Sequence, residues 1–480
     1  MKRLWLLGAA AALLLTHGLV GAAVKEAPKQ MSEETKQCLK CHKKDNPGLV
    51  QAWGSSAHYG ANVGCYECHQ ADEGDADAFI HDKKKMKKLI STIVSPKDCA
   101  NCHADEAHEM EISHHAEAGN IMGSLDNVLA EVIEGDNKFV TEGFPEGNSA
   151  AAVNGCWQCH GSQVKVLEGG KLDPATWPNT GIGRINPDGS KGTCAACHSR
   201  HEFSAAQARH PENCGKCHMG PDHPQIEIYN ESKHGIAFRA NVDKMNLDNP
   251  KWVVGEDYWA APTCATCHMS ATRKQPLTHD VGKRISISNR PPLSKKQDEK
   301  HGGGYTYEER RNNMKDVCVA CHESGVTENF FIQYEALIDL YNRKYGRPGI
   351  RLMKAAKPLM KGPKFSHHLD WVWFEIWHHE GRRARMAASM QGPDITHWEG
   401  TYDLAKNWYN EMVPLVKELI EHGMHGSAED KKAAAHLKAE LDAVLNMDEH
   451  KWFLGKMDPA EAAKRKKRQA EFKARRHNVK

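Results

Sequence analysis

Residues 194–223 contain Cys194-Ala-Ala-Cys197-His198 and, after Ser199-Arg-His201, Cys214-Gly-Lys-Cys217-His218-Met-Gly-Pro-Asp222-His223. Both cysteine pairs are spaced C-x-x-C, and both are followed directly by His. Outward from this stretch the same unit recurs at Cys38-Leu-Lys-Cys41-His42, Cys65-Tyr-Glu-Cys68-His69, Cys99-Ala-Asn-Cys102-His103 and Cys156-Trp-Gln-Cys159-His160. It recurs again at Cys264-Ala-Thr-Cys267-His268 and Cys318-Val-Ala-Cys321-His322, and these motifs account for all 16 Cys of the chain. C-x-x-C-H is the attachment signature of c-type haem. Two thiols add to the haem vinyl groups, and the adjacent His ligates iron from the proximal side. Paired C-x-x-C units can also hold zinc, but zinc does not require a His after the second Cys. Disulfides are the default for an exported, Cys-rich chain, yet no Cys falls outside this pattern. The expected cofactors are eight covalently bound haem c groups with their iron.

That expectation accounts for the composition. Hydrophobic residues make up only 40% of the 480, and mean hydropathy is −0.66, lean for a chain that must bury a large core. Porphyrin faces would supply much of the apolar interior. The predicted fold is mostly α: a haem-cored multihaem cytochrome c wrapped by short helices and loops, followed by a long-helix C-terminal region. No run of alternating strand residues stands out. Residues 24–325 form the expected octahaem domain, 326–457 a helical region and 458–480 a basic tail.

The first 23 residues read as a signal peptide. Met1-Lys2-Arg3 is a positive start, Leu4 to Leu15 an apolar run, and cleavage is expected near Ala22 or Ala23. The mature chain is thus expected in the periplasm. Lys+Arg 64 against Asp+Glu 62 leaves a formal charge of +2, without the basic excess of a nucleic-acid binder. The tail after Asp458 is basic, and such tails are usually solvated and disordered.

An electron-transfer haem needs a second axial ligand, usually His. Ser-x-His recurs at Ser56-Ala-His58, Ser113-His-His115, Ser199-Arg-His201 and Ser232-Lys-His234, and more weakly at Ser366-His-His368. His58, His115, His201 and His234 are therefore the first candidates for distal ligands, with His279, His210 and His378 or His379 completing the set. His422, His425, His436 and His450 sit in charged helical surroundings and are expected to face solvent. Catalysis would need one iron with a vacant position. Gly161 to Thr193 contains no His and is rich in Gly and Pro, which is compatible with a fourth haem that lacks a nearby protein ligand. Asp222 and His223, between two prolines, pair a carboxylate with an imidazole that can relay protons. The plainer reading is that His223 ligates a haem or that Asp222 caps the next helix.

The run from Cys194 through Ser199-Arg-His-Glu-Phe-Ser204 to Gln225 resembles the octahaem hydroxylamine oxidoreductases. So do Glu231-Ser-Lys-His-Gly235, Thr278-His-Asp-Val-Gly282, Arg284-Ile-Ser286, Tyr341-Asn342 and Glu380-Gly-Arg-Arg-Ala-Arg-Met386. The resemblance extends to about Leu445. It implies a homotrimer with seven bis-His haems and a fourth, held by Cys156, Cys159 and His160, that binds substrate. Asp222 and His223 match the family's active-site pair, and a pocket Tyr is implied, with Tyr305 or Tyr307 as the candidates.

One departure bears on direction. Members that oxidise hydroxylamine carry a Tyr, from a neighbouring subunit, bonded to the active-site haem. The matching stretch here is Gly392-Pro-Asp-Ile-Thr-His-Trp398, with Ile395 in its place. Ile cannot form the link, and an unmodified haem favours giving electrons to substrate. The resemblance therefore implies reduction of nitrite or hydroxylamine to ammonium, with an electron-transfer cytochrome or a membrane quinol dehydrogenase as partner. The alternatives are oxidation of hydroxylamine in the same fold and a non-catalytic electron conduit.

Overall fold

A computed structural model of the protein describes residues 30–82, 86–123, 138–141, 144–149, 155–298 and 304–477. The expected signal peptide lies outside the described residues. No described helix is long and apolar enough to cross a membrane.

The N-terminal two-thirds is a chain of short helices joined by loops, and the C-x-x-C-H motifs fall on or beside these helices. Cys65–His69, Trp157–His160 and Cys264–His268 are helices in their own right, while the first motif lies within Glu33–Asp45 and the eighth closes Tyr307–Cys318. The reason is geometric. A helical turn puts residues i, i+3 and i+4 on one face, so two thiols and an imidazole point the same way. Caps hold the turns: Thr263 and Thr266 form a capping box at the seventh motif, and Ser95 and Asp98 form one at the third. The sheet content among the described residues is four two-stranded antiparallel pairs, among them Phe79–Asp82 with Met86–Ile90. Strands this short leave no legible alternation.

The C-terminal region is built from long helices interrupted by π-turns. Ser324–Tyr341 runs through a π-segment, Asn342–Gly346, into Arg347–Ala356. Gly346 and Pro348 read as a stop in the sequence, yet the helix continues, because Pro348 falls in the first turn after the π-segment, where a missing N–H is tolerated. Further π-segments occur at Glu375–Glu380, Thr396–Tyr402 and Trp408–Met412. Ser427 and Asp430 box the start of Ala428–Leu445, as the sequence suggested. Leu352, Leu369, Ile376, Trp408, Met412, Val416 and Leu437 meet in one fully buried cluster. The basic tail is a helix, Pro459–His477, with its residues exposed. Its Ala, Lys, Arg, Glu and Gln are strong helix formers, which overrides the expectation of disorder.

His450 departs from its expected surface position. It is fully buried and stacks on Trp408 at 5.4 Å. Its Nε2–H donates to the Lys344 carbonyl at 2.7 Å and Nδ1 accepts from the Tyr409 hydroxyl at 2.8 Å. Burial lowers this imidazole to about 4. The folded-state value lies below that of the unfolded chain, so the unfolded state binds the extra proton first. The stability from this site is complete above about pH 6.5, falls by roughly 3 kcal/mol as pH drops toward 4, and then levels off. The melting-temperature gap between wild type and His450→Gln should therefore narrow between pH 7.5 and 4.5; an unchanged gap would contradict the assignment.

Candidate functional site

The short helices surround an interior cavity of about 3040 Å³, several times a usual ligand pocket. Cysteines of all eight motifs line it, from Cys38 to Cys318, and none of the 16 is in a disulfide. Thiols of different motifs come within hydrogen-bonding reach: Cys38 with Cys65, Cys99 with Cys194, Cys159 with Cys217, and Cys214 with Cys264. Among the described residues no three His, Cys, Asp or Glu side chains gather around a point that would hold a bare metal ion, so the motifs are not arranged as zinc sites.

Six motif histidines face a second imidazole. Ring centroids are separated by 6.0 Å for His42 and His81, 6.4 Å for His69 and His201, and 6.2 Å for His103 and His58. They are separated by 6.5 Å for His198 and His279, 6.1 Å for His218 and His115, and 6.1 Å for His322 and His234. A ring nitrogen bonds such a metal at roughly 2 Å, so two imidazoles sharing one iron stand roughly 6 Å apart. The donor set and spacing thus fit haem iron. Burial also favours the neutral form, which ligation requires, at several of these rings: it lowers His115 to about 3 and His198, His201 and His218 to about 4.

The Ser-x-His pattern has a structural cause. Ser56 and Ser232 are N-caps, accepting from the backbone N–H of Tyr59 and Gly235, which sets His58 and His234 in the first turn of a helix. Ser113 accepts from the His115 N–H at 3.2 Å. His279 is held differently, its N–H donating to Glu109 at 2.6 Å. His81 went unremarked in the sequence because it lies on a strand, Phe79–Asp82, without a capping Ser. His210 pairs with Glu212 and meets Phe238 edge-on at 5.1 Å. His367 accepts from the Leu369 N–H and caps its helix.

The fourth motif is fixed from behind by glycines. Ile182 N–H donates to the Cys159 carbonyl, Gly183 N–H to the His160 carbonyl and Gly161 N–H to the Trp157 carbonyl. A Cβ on Gly181 would lie 2.0 Å from the Gly161 nitrogen, and one on Gly161 2.4 Å from the Arg184 nitrogen. The His-free stretch is therefore a backbone clasp that only glycine can close.

Asp222 and His223 line the same cavity, with the His223 ring 6.3 Å from that of His218 in the sixth motif. The turn that carries them begins at Gly220, whose φ is +96°, and leads into the helix Gln225–Glu231. Pro224, not Asp222, occupies the N-cap position. Asp222 Oδ1 lies 2.5 Å from His223 Nδ1, and Oδ2 takes a hydrogen bond from Arg382 Nη1 at 3.0 Å with His378 Nε2 at 3.8 Å. Burial would raise this carboxyl, but the His223 contact and the charges of His378 and Arg382 carry it well below the usual carboxylate range. His223 lies close enough for its charge to act at Cys159, which ties the pair to the fourth motif.

A family model described as "seven times multi-haem cytochrome CxxCH" matches residues 188–361, and one for cytochrome c554 and c-prime matches residues 14–70. The chain is a multihaem cytochrome c. Its haem c is covalently bound. The cytochrome is 29% identical over 254 residues to a "probable nitrite reductase-hydroxylamine oxidoreductase fusion protein" of Kuenenia stuttgartiensis; the match takes in 48% of this chain and spans a quarter of that relative's length. It is similar to a solved "hypothetical multiheme protein", at 28% identity and a TM-score of 0.68 over 83% of this chain and 98% of the other. It shares its fold with the reducing HAO-like protein complex of Kuenenia stuttgartiensis, at 18% identity and a TM-score of 0.53 over 85% and 87%.

Four residues of the cytochrome take other places than expected. Tyr305 and Tyr307 lie beneath Lys283 and Lys296, while Tyr334 lines the cavity and accepts from Asn289 at 3.4 Å. Asn289 adjoins Arg290, whose carbonyl takes Arg382 Nη2 at 3.3 Å. His378, a candidate ligand in the sequence, instead faces Asp222, and His379 pairs with Glu375 at 2.6 Å. Ile395 is buried against Ile228 and Ala387. The sequence offered His378 only as a haem ligand and Arg382 only within Glu380-Gly-Arg-Arg-Ala-Arg-Met386; it did not convey that both meet Asp222.

Proposed function

We propose that the chain binds eight haem c groups and reduces nitrite or hydroxylamine to ammonium at the one held by Cys156, Cys159 and His160. The observation that carries the reading is the Asp222 hub beside the fourth motif, where one carboxylate meets His223, His378 and Arg382. The haem, when bound there, supplies the iron and the electrons. Arg382, held by Asp222, contributes positive charge that favours an anionic substrate. Asp222 stays ionised and holds His223 ready to give protons to nitrogen and oxygen atoms of the substrate. Tyr334 is the candidate pocket hydroxyl.

Seven of the haems are read as bis-His electron carriers. For the seventh, His114, whose ring lies against Gly282, is the proposed distal ligand. The reductive direction rests on Ile395, which is apolar and packed within its own chain. The chain is further proposed to be periplasmic, to act as a homotrimer, and to draw electrons from a cytochrome or a quinol dehydrogenase.

The test offers nitrite and hydroxylamine with a reduced viologen, and hydroxylamine with an oxidised cytochrome. Ammonium formation without appreciable oxidation is expected. Efficient oxidation would overturn the direction, and no turnover either way would leave an electron conduit. A separate check concerns ligation: His81→Ala should convert the first haem from low-spin to high-spin, adding a ferric high-spin signal, whereas an unchanged spectrum would rule His81 out.

A further inference from the structure

The reading above leaves a supply problem. Reduction of nitrite consumes eight protons with six electrons (NO₂⁻ + 6e⁻ + 8H⁺ → NH₄⁺ + 2H₂O), and hydroxylamine consumes three with two. The electrons come from an external one-electron donor through the haems. The protons must come from solvent, and Asp222 and His223 face the cavity that the haems would fill.

One turn of helix joins the solvent to Asp222. Glu375, His378 and His379 lie on the π-segment Glu375–Glu380, a kind of turn often found at functional sites. The Glu375 side chain is 44% exposed, and its Oε2 lies 2.6 Å from His379 Nδ1. The His379 side chain is 19% exposed, and its ring centroid is 5.3 Å from that of His378. The His378 side chain is 5% exposed, is steadied by stacking on Phe374 at 4.2 Å, and presents Nε2 to Asp222. Exposure thus falls from Glu375 to His379 to His378 and rises again at Asp222, 21%, and His223, 31%, which face the cavity rather than the outer surface. Both histidines line the cavity. The other charges on this face are Arg382, on Asp222, and Arg383, 4.0 Å from Glu380.

Resting on the reductive reading, we infer that Glu375, His379 and His378 form the inlet along which solvent protons reach the Asp222–His223 pair. A proton passed from Glu375 to Nδ1 of His379 leaves from Nε2 of the same ring toward His378. The 3.8 Å from His378 Nε2 to Asp222 Oδ2 closes to a hydrogen bond with a shift of about 1 Å, and a water can pass the proton between the two rings. Asp222 faces both His378 and His223, so it stabilises positive charge on either ring as the proton arrives. These are proton-relay residues and do not touch the substrate.

The experiment uses the fully haem-loaded chain, nitrite and reduced viologen, with His379→Gln and, at the more exposed end, Glu375→Gln. In His379→Gln kcat should fall roughly tenfold or more and the solvent deuterium isotope effect should rise. KM for nitrite and the haem spectrum should stay as in wild type. Both variants within about twofold of wild type, with an unchanged isotope effect, would overturn the inlet. So would a loss of rate that comes with a changed haem spectrum. Wild type without ammonium formation would overturn the reductive reading, and the inlet with it; that failure is distinct, because it appears before any substitution.

Discussion

Replacing Asp222 by Asn is expected to lower kcat for nitrite reduction by about 10²–10⁴ while leaving haem content unchanged. The carboxylate does two things at once. It holds His223 at 2.5 Å and it offsets the charges of Arg382 and His378. Asn keeps the shape but not the charge. An imidazolium at His223 would then lose its counter-ion, and the side chain could settle in the wrong tautomer. Arg382 would be left with reduced compensation in a nearly buried position, so some loss of stability should accompany the loss of rate. Steady-state kinetics with a haem-content assay separates the two. A kcat within about threefold of wild type would remove Asp222 from the chemistry.

The second large effect is expected at Gly181. Its Cβ position lies 2.0 Å from the Gly161 nitrogen and 2.4 Å from the Trp157 carbonyl oxygen. Backbone atoms cannot move aside as a flexible side chain can, so Gly181→Ala must open the clasp behind the fourth motif. Roughly 3 kcal/mol or more of local stability should be lost. The fourth haem should be attached poorly, and nitrite reduction should disappear while the other haems remain. Gly155 provides the control: it adjoins the same motif, but a Cβ there meets nothing within 4 Å. Gly155→Ala should therefore retain a full haem complement by mass and near-normal activity. Equal behaviour of the two variants would mean that the clasp does not position the motif.

These sites also show what the sequence could and could not convey. The covalent chemistry was legible because C-x-x-C-H is local: five residues specify one turn and three inward-facing groups. Ser-x-His was legible for the same reason at Ser56 and Ser232, where the serine caps the turn that carries the histidine. His81 has no such local mark, because a strand pairing with Met86–Ile90 brings it to His42. His450 looked solvated because its chain neighbours are charged; its burial comes from Trp408 and Tyr409, some forty residues earlier. Pro348 read as a terminator, and a π-turn absorbed it. The wall that His378 and Arg382 give to the site is a meeting of segments about 160 residues apart, which spacing along the chain cannot reveal.

The central claim is that one iron, at the fourth motif, lacks a second protein ligand and faces Asp222 and His223. Low-temperature electron paramagnetic resonance of the oxidised, fully loaded protein addresses it most directly. The account predicts one ferric high-spin component among low-spin haems, converted to low-spin by nitrite and altered in Asp222→Asn. Low-spin signals alone, insensitive to nitrite and unchanged by the substitution, would contradict it.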